Sequence, residues 1–196
     1  MAVLGERRLP ILHVDQLRGF LGLPPAEDSP PYQQFVAAVD RVLEGVERAV
    51  LQVPAEHFHS STPNRGRDLP ELVFNIHDPI ALLGSSLDSG SFDWRTESDF
   101  DRSRHFNSPE QLAEFCRDVR TNWVTRAAAV DADAAAQTVQ TARGPLTQEQ
   151  VLQAQAFHSA QHLRQIYVFL REIGVEPAQE LGASDIAPIE LGDLVF

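Results

Sequence analysis

The chain has 196 residues, 43% apolar and 22% charged, which suits an ordinary globular protein forming one domain over residues 1–196 and burying roughly 70% of its unfolded surface. Its 28 acidic side chains outnumber 16 basic ones, and the net charge of −12 without a basic stripe excludes a nucleic-acid backbone as partner. No run approaches the ~18 apolar residues of a membrane span, MAVLGERRLPIL lacks the apolar core of a signal peptide, and the one cysteine, Cys116, rules out an intrachain disulfide and fits a reducing cytoplasm.

Residues 1–31 read as extended or looped, punctuated by Pro24, Pro25, Pro30 and Pro31. A first helix is expected over 32–53, where Phe35, Val39, Val42, Val46, Val50 and Val53 recur at steps of three and four until Pro54 ends it. A second, over 69–87, starts at Asp68 with Pro70 in its first turn. Pro79 lies inside it and removes the hydrogen bond to the carbonyl of Asn75, so a kink or restart is expected beside His77. A third, over 109–130, has Ser108 as cap, Pro109 first and Gln111 in the box position, with the stripe Leu112, Cys116, Val119, Trp123, Ala127, Val130. DADAAA reads as an alanine-rich turn and TVQTAR as one short extended piece. A fourth helix, over 148–173, is opened by Thr147 with Gln150 and closed by Gly174 and Pro177. Four amphipathic helices in one domain predict an all-α fold, a four-helix bundle, and bundles build metal sites from side chains on facing helices.

His158 and His162 stand four apart in the fourth helix, so they project from one face about one turn apart, close enough to clamp one ion. A histidine from another helix would complete a facial set of three nitrogens and leave positions open for chemistry; His77, in LVFNIHDPIALL, is the candidate. An isolated HxxxH is more often two half-buried histidines on the core side of a helix. Gln165, three residues beyond His162, falls in the same arc at ~100° per residue and is placed to orient a ligand or a bound water, or simply to pack near the mouth of the bundle.

One histidine on the second helix followed by HxxxHxxQ on the fourth resembles the DinB-like metalloprotein superfamily, which includes mycothiol- and bacillithiol-dependent transferases and maleylpyruvate isomerase. The likeness runs through RDLPELVFNIHDPIALL, FHSAQHLRQIYVFLREIGV and the tail DIAPIELGDLVF. RRLPILHVDQLRGFLGLP and TPNRGRDL are similar to a subgroup sometimes fused behind a glutaredoxin-like module. The resemblance implies an up-down-down-up four-helix bundle with extended N- and C-terminal segments. It also implies one divalent ion, zinc or nickel first and iron otherwise, held by His77, His158 and His162. A small-molecule substrate, a low-molecular-weight thiol as co-reactant and a homodimer go with it. Three neutral histidines leave a dication its full charge, suited to activating a thiol for transfer or a water for hydrolysis or isomerisation. A non-catalytic stress protein would instead close the site with a fourth ligand such as Asp78 or Glu149.

Arg65 and Arg67, just before the second helix, are candidates to bind a carboxylate of substrate or cofactor by bidentate pairing, against the plainer reading of solvated loop charge. Cys116 lies on the core stripe and reads as a packed, inert thiol. Trp94 is a candidate for lining a cleft, whereas Trp123 reads first as core. The HxH of His57 and His59 lacks further ligands, and His13 and His105 have no partner at useful spacing. TESDFDR and VDADAAA lack the glycine turn and terminal glutamate of a calcium loop.

Overall fold

The computed structural model describes residues 2–4, 7–9, 31–63, 66–94 and 99–191, which fall into two compact units, 1–31 and 32–196. In the first unit, β1 (Ala2–Leu4) and β2 (Arg7–Leu9) pair antiparallel, Ala2 opposite Leu9 and Leu4 opposite Arg7. His13 and most of the N-terminal segment carrying the subgroup resemblance lie outside the described residues.

The second unit holds α1 (Tyr32–Val50), α2 (Leu69–Ser89), α3 (Pro109–Ala127) and α5 (Gln148–Glu172), with a short α4 (Ala132–Ala136) between the last two. Three further strands, β3 (Ser91–Phe92), β4 (Thr138–Thr141) and β5 (Gly144–Thr147), make a small sheet in that order, β3 parallel and β5 antiparallel to β4. Three of the four long helices begin where a cap is written. Asp68 accepts from the Glu71 amide, Ser108 from that of Gln111, and Thr147 and Gln150 close a reciprocal capping box. Gln111 differs in reaching back to the Asn107 amide. At the end of α5, Gly174 takes a φ of 82°, and the amides of Gly174 and Val175 bond the carbonyls of Arg171 and Leu170, a Schellman closure.

Contacts between helices fix their directions. Asp40 and Glu47 of α1 pair with Arg120 and Arg117 of α3, and Gln33 caps the carbonyls of Ala127 and Val130, so α1 and α3 run antiparallel. In α2 and α3, His77 meets Cys116 while Arg126 bonds the Gly84 carbonyl and pairs with Asp88; these two run parallel. Asn75 meets His162 and Ser86 meets Gln148, which sets α2 antiparallel to α5. The order is therefore up, down, down, up, the all-α bundle expected. A parallel α2–α3 pair needs a connection that travels the length of the bundle; its described parts are β3 and a 3-10 turn at Phe100–His105.

Two local expectations need correction. α2 does not restart at Pro79 but runs as one helix from Leu69 to Ser89, its two sides packed on α3 and α5 and the proline's fixed φ being compatible with a helix. DADAAA is a short helix rather than a turn: Asp131 accepts from the Ala134 amide and the alanines that follow are the strongest helix formers. No helix among the described residues is long and apolar enough to cross a membrane.

Candidate metal centre

His158 and His162, on successive turns of α5, turn the same ring nitrogen inward: their Nε2 atoms lie 3.1 Å apart. Two nitrogens bound about 2.1 Å from one ion at roughly a right angle would be separated by about 3 Å, so the spacing is that of cis ligands. His162 has a defined tautomer. Its Nδ1–H donates to Oε1 of Gln165 at 2.7 Å, which leaves the Nε2 lone pair directed at the meeting point. Gln165 is 5% exposed, so this acceptor is shielded from competing water. His158 lacks such support, since its Nδ1 is buried without a hydrogen-bond partner. Burial, then the positive field of His162 and then that of Arg67 push the His158 pKa down to about 3, holding the ring in the neutral form that ligates.

The residue of α2 that meets this pair is Asn75. Its side-chain amide lies 3.0 Å from His162 Nε2 and 3.3 Å from His158 Nε2, and the residue is 7% exposed. His77, two positions on and so ~200° around the helix, looks toward α3. Its Nδ1–H donates to the Val73 carbonyl at 3.0 Å, its ring lies 5.8 Å from that of Phe115, and Cys116 Sγ is 3.9 Å away. The Nε2 of His77 is buried without a partner, and burial lowers its pKa to about 4, against the opposing pull of the Val73 carbonyl. The three histidines do not converge: among the described residues, no three or more His, Cys, Asp or Glu side chains are grouped to hold an ion. The structure thus brings His158 and His162 together with Gln165 behind them, and puts Asn75 where a third histidine was expected. An asparagine carries no ligand signature in a sequence, although its helical phase relative to His77 is readable there.

Arg67 joins the site from the loop before α2. Its guanidinium stands over the Phe100 ring at 5.9 Å, its charge is felt at His158, and no carboxylate among the described residues pairs with it. Phe100 meets Phe74 edge-on at 5.8 Å, Phe74 stacks on Phe115 at 5.6 Å, and Arg102 lies over Phe115 at 5.4 Å. These rings form an apolar cluster that reaches His77 through Phe115 and Arg67 through Phe100, and sequence spacing gave no signal for it because Phe74, Phe100 and Phe115 come from three separate elements. Arg65 lies outside the described residues.

The remaining candidates sit apart. Cys116 is fully buried, and its thiol is pushed well above its ordinary pKa by burial and by Glu47, so it is held as an unreactive SH. His59 Nδ1 meets the capping carboxylate of Asp68 at 3.0 Å rather than joining His57. Glu149 accepts from Gln153 within α5. Trp123 is core, and Trp94 is 38% exposed.

A family model of the DinB superfamily matches residues 19–166 of this sequence. Among solved structures, YfiT from Bacillus subtilis, described as a probable metal-dependent hydrolase with an unusual four-helix bundle topology, superposes with a TM-score of 0.62 at 14% identity, over 78% of this chain and 94% of its own. A mycothiol-dependent maleylpyruvate isomerase superposes with a TM-score of 0.59 at 13% identity, over 82% of this chain and 68% of its own. No curated protein matches the sequence.

Proposed function

Because the chain belongs to the DinB superfamily, we propose that it binds one divalent cation, zinc or nickel first and iron otherwise, through His158 and His162, and uses it to act on a small electrophilic molecule with a low-molecular-weight thiol. The single observation that carries this reading is the approach of two imidazole Nε2 atoms to 3.1 Å beside a buried amide. When bound, the cation supplies Lewis acidity, which lowers the pKa of a coordinated thiol or water. The protein's own residues do the rest. Gln165 fixes the His162 tautomer and so keeps its lone pair aimed inward. The half-buried Phe100 ring under Arg67 gives the substrate an apolar contact, with Phe74 behind it. Arg67, uncommitted to any described carboxylate, takes an anionic group of the substrate or the thiol by bidentate hydrogen bonds.

Cys116 takes no part, because a buried neutral thiol is a poor nucleophile. The thiol therefore comes from outside the chain. A second reading, hydrolysis with water in place of the thiol, shares every residue named here, and the description of YfiT as a probable metal-dependent hydrolase favours it.

The test is elemental analysis of untagged protein followed by titration of the cobalt-substituted form with small thiols. One equivalent of metal whose visible bands shift on thiol addition supports the thiol-using enzyme. Bands that ignore thiols favour the hydrolase, and protein that takes up no metal overturns the proposal.

A further inference from the structure

We infer that Asn75 is the ligand that α2 contributes, its amide oxygen completing a facial set with the two Nε2 atoms of His158 and His162. This rests on the metal-binding reading above and goes further by assigning the third position to an oxygen donor. Asn75 stands in hydrogen-bond range of both rings, at 3.0 and 3.3 Å. The O and N ends of a side-chain amide are interchangeable by a half-turn of the terminal torsion. With the NH2 end inward, Asn75 donates to the Nε2 lone pair of His162 in the metal-free protein. With the oxygen inward, the same contact becomes a neutral donor for a cation. A half-turn in place therefore exchanges a proton-donating network for a three-donor site, with no movement of the helices.

The ligand set has consequences. An amide oxygen is a harder and weaker donor than imidazole, so two nitrogens and one oxygen hold zinc or nickel less tightly than three nitrogens. The preference shifts toward cations that accept oxygen, iron(II) and manganese(II) among them. All three donors are neutral, so the ion keeps its whole charge. His77, facing Cys116 and Phe115, contributes packing and a hydrogen bond to Val73 instead.

The test compares cobalt(II) affinity and visible spectra of the wild type with those of Asn75→His, Asn75→Ala and His77→Leu, using a chromophoric chelator as competitor. The expected result is that Asn75→His binds about tenfold tighter or more, with bands moved to shorter wavelength by the stronger-field imidazole. Asn75→Ala is expected to bind about 10–100-fold weaker, and His77→Leu to be unchanged in affinity and spectrum. If His77→Leu loses cobalt while Asn75→Ala keeps it, the assignment to Asn75 is overturned and the metal-binding reading stands. Equal affinity in all four proteins also overturns the assignment. A wild type that takes up no cobalt overturns both. Asn75→His is a gain of affinity, so its result holds even where a truncated variant fails to fold.

Discussion

His162 Nδ1 donates to Oε1 of Gln165, three residues later on the same helix, across 2.7 Å. The bond sets both the orientation of the imidazole and the nitrogen that carries its proton, so Gln165 decides which nitrogen of His162 faces inward. Replacing it with leucine strands a buried N–H at a cost of about 1–3 kcal/mol and releases the ring. Gln165→Leu is expected to weaken metal binding about 10–100-fold. Chelator competition together with a thermal melt checks it, and an unchanged affinity would remove Gln165 from the site.

His162→Ala should abolish the stabilisation that metal gives the fold. At a metal concentration about a hundredfold above Kd that stabilisation is about 2.7 kcal/mol, or roughly 5–10 °C in a chain of this size. Wild-type protein should therefore show that drop in Tm on chelation, and His162→Ala none. Cys116→Ser, a change beside His77 rather than at the convergent pair, should retain both metal content and the drop. Full metal occupancy in His162→Ala would refute the assigned ligand.

A buried and a half-buried histidine give the metal-free protein a defined acid sensitivity. His77 is held neutral to about pH 4 and His158 to about pH 3, while the unfolded chain takes up both protons near pH 6.5. Below pH 6.5 the unfolded state binds more protons, so stability is full above that value and falls as the pH drops toward 4. The slope is about 1.4 kcal/mol per pH unit for each histidine. Urea melts of metal-free protein between pH 6.5 and 4.5 should show this decline, and His77→Leu should remove about half of it. A pH-independent midpoint would contradict the neutral burial of both rings.

Arg67 makes a prediction about ligands rather than stability. Its guanidinium already rests on Phe100, so the charge is held in place and is available to an anion. Loss of a bidentate charge-assisted pair, about 1.5–3 kcal/mol, corresponds to roughly 10–100-fold weaker binding of a carboxylate-bearing substrate or thiol. Arg67→Ala should raise KM by that factor with kcat little changed, and Arg67→Lys should recover only part of it. Equal KM values in wild type and Arg67→Ala would return this residue to the class of solvated loop charges.

Helix starts were the most legible part of the sequence, because capping is local chemistry: Asp68, Ser108 and Thr147 each begin the helix their spacing announced. His158, His162 and Gln165 were legible for the same reason, since spacings of four and three on one helix need no tertiary knowledge. Asn75 was not, because which face of α2 meets α5 depends on how two helices pack, and a histidine two residues away drew the reading. Arg67 was visible only as a charge beside an undetermined loop. Its neighbour Phe100 lies more than thirty positions away in sequence and is brought near by the connection after α2. The continuity of α2 through Pro79 was missed because local rules count the lost hydrogen bond and not the packing that tolerates it.

That connection also separates two parts of the molecule. His158, His162 and Asn75 stand on helices locked into the bundle, whereas Phe100 and Arg102 ride on the long crossover that the parallel α2–α3 pair requires. Substitutions or length changes in the crossover can therefore remodel the surface under Arg67 without disturbing the helices that set the 3.1 Å approach of the two histidines. Loop and histidine pair are free to vary independently, one at a time.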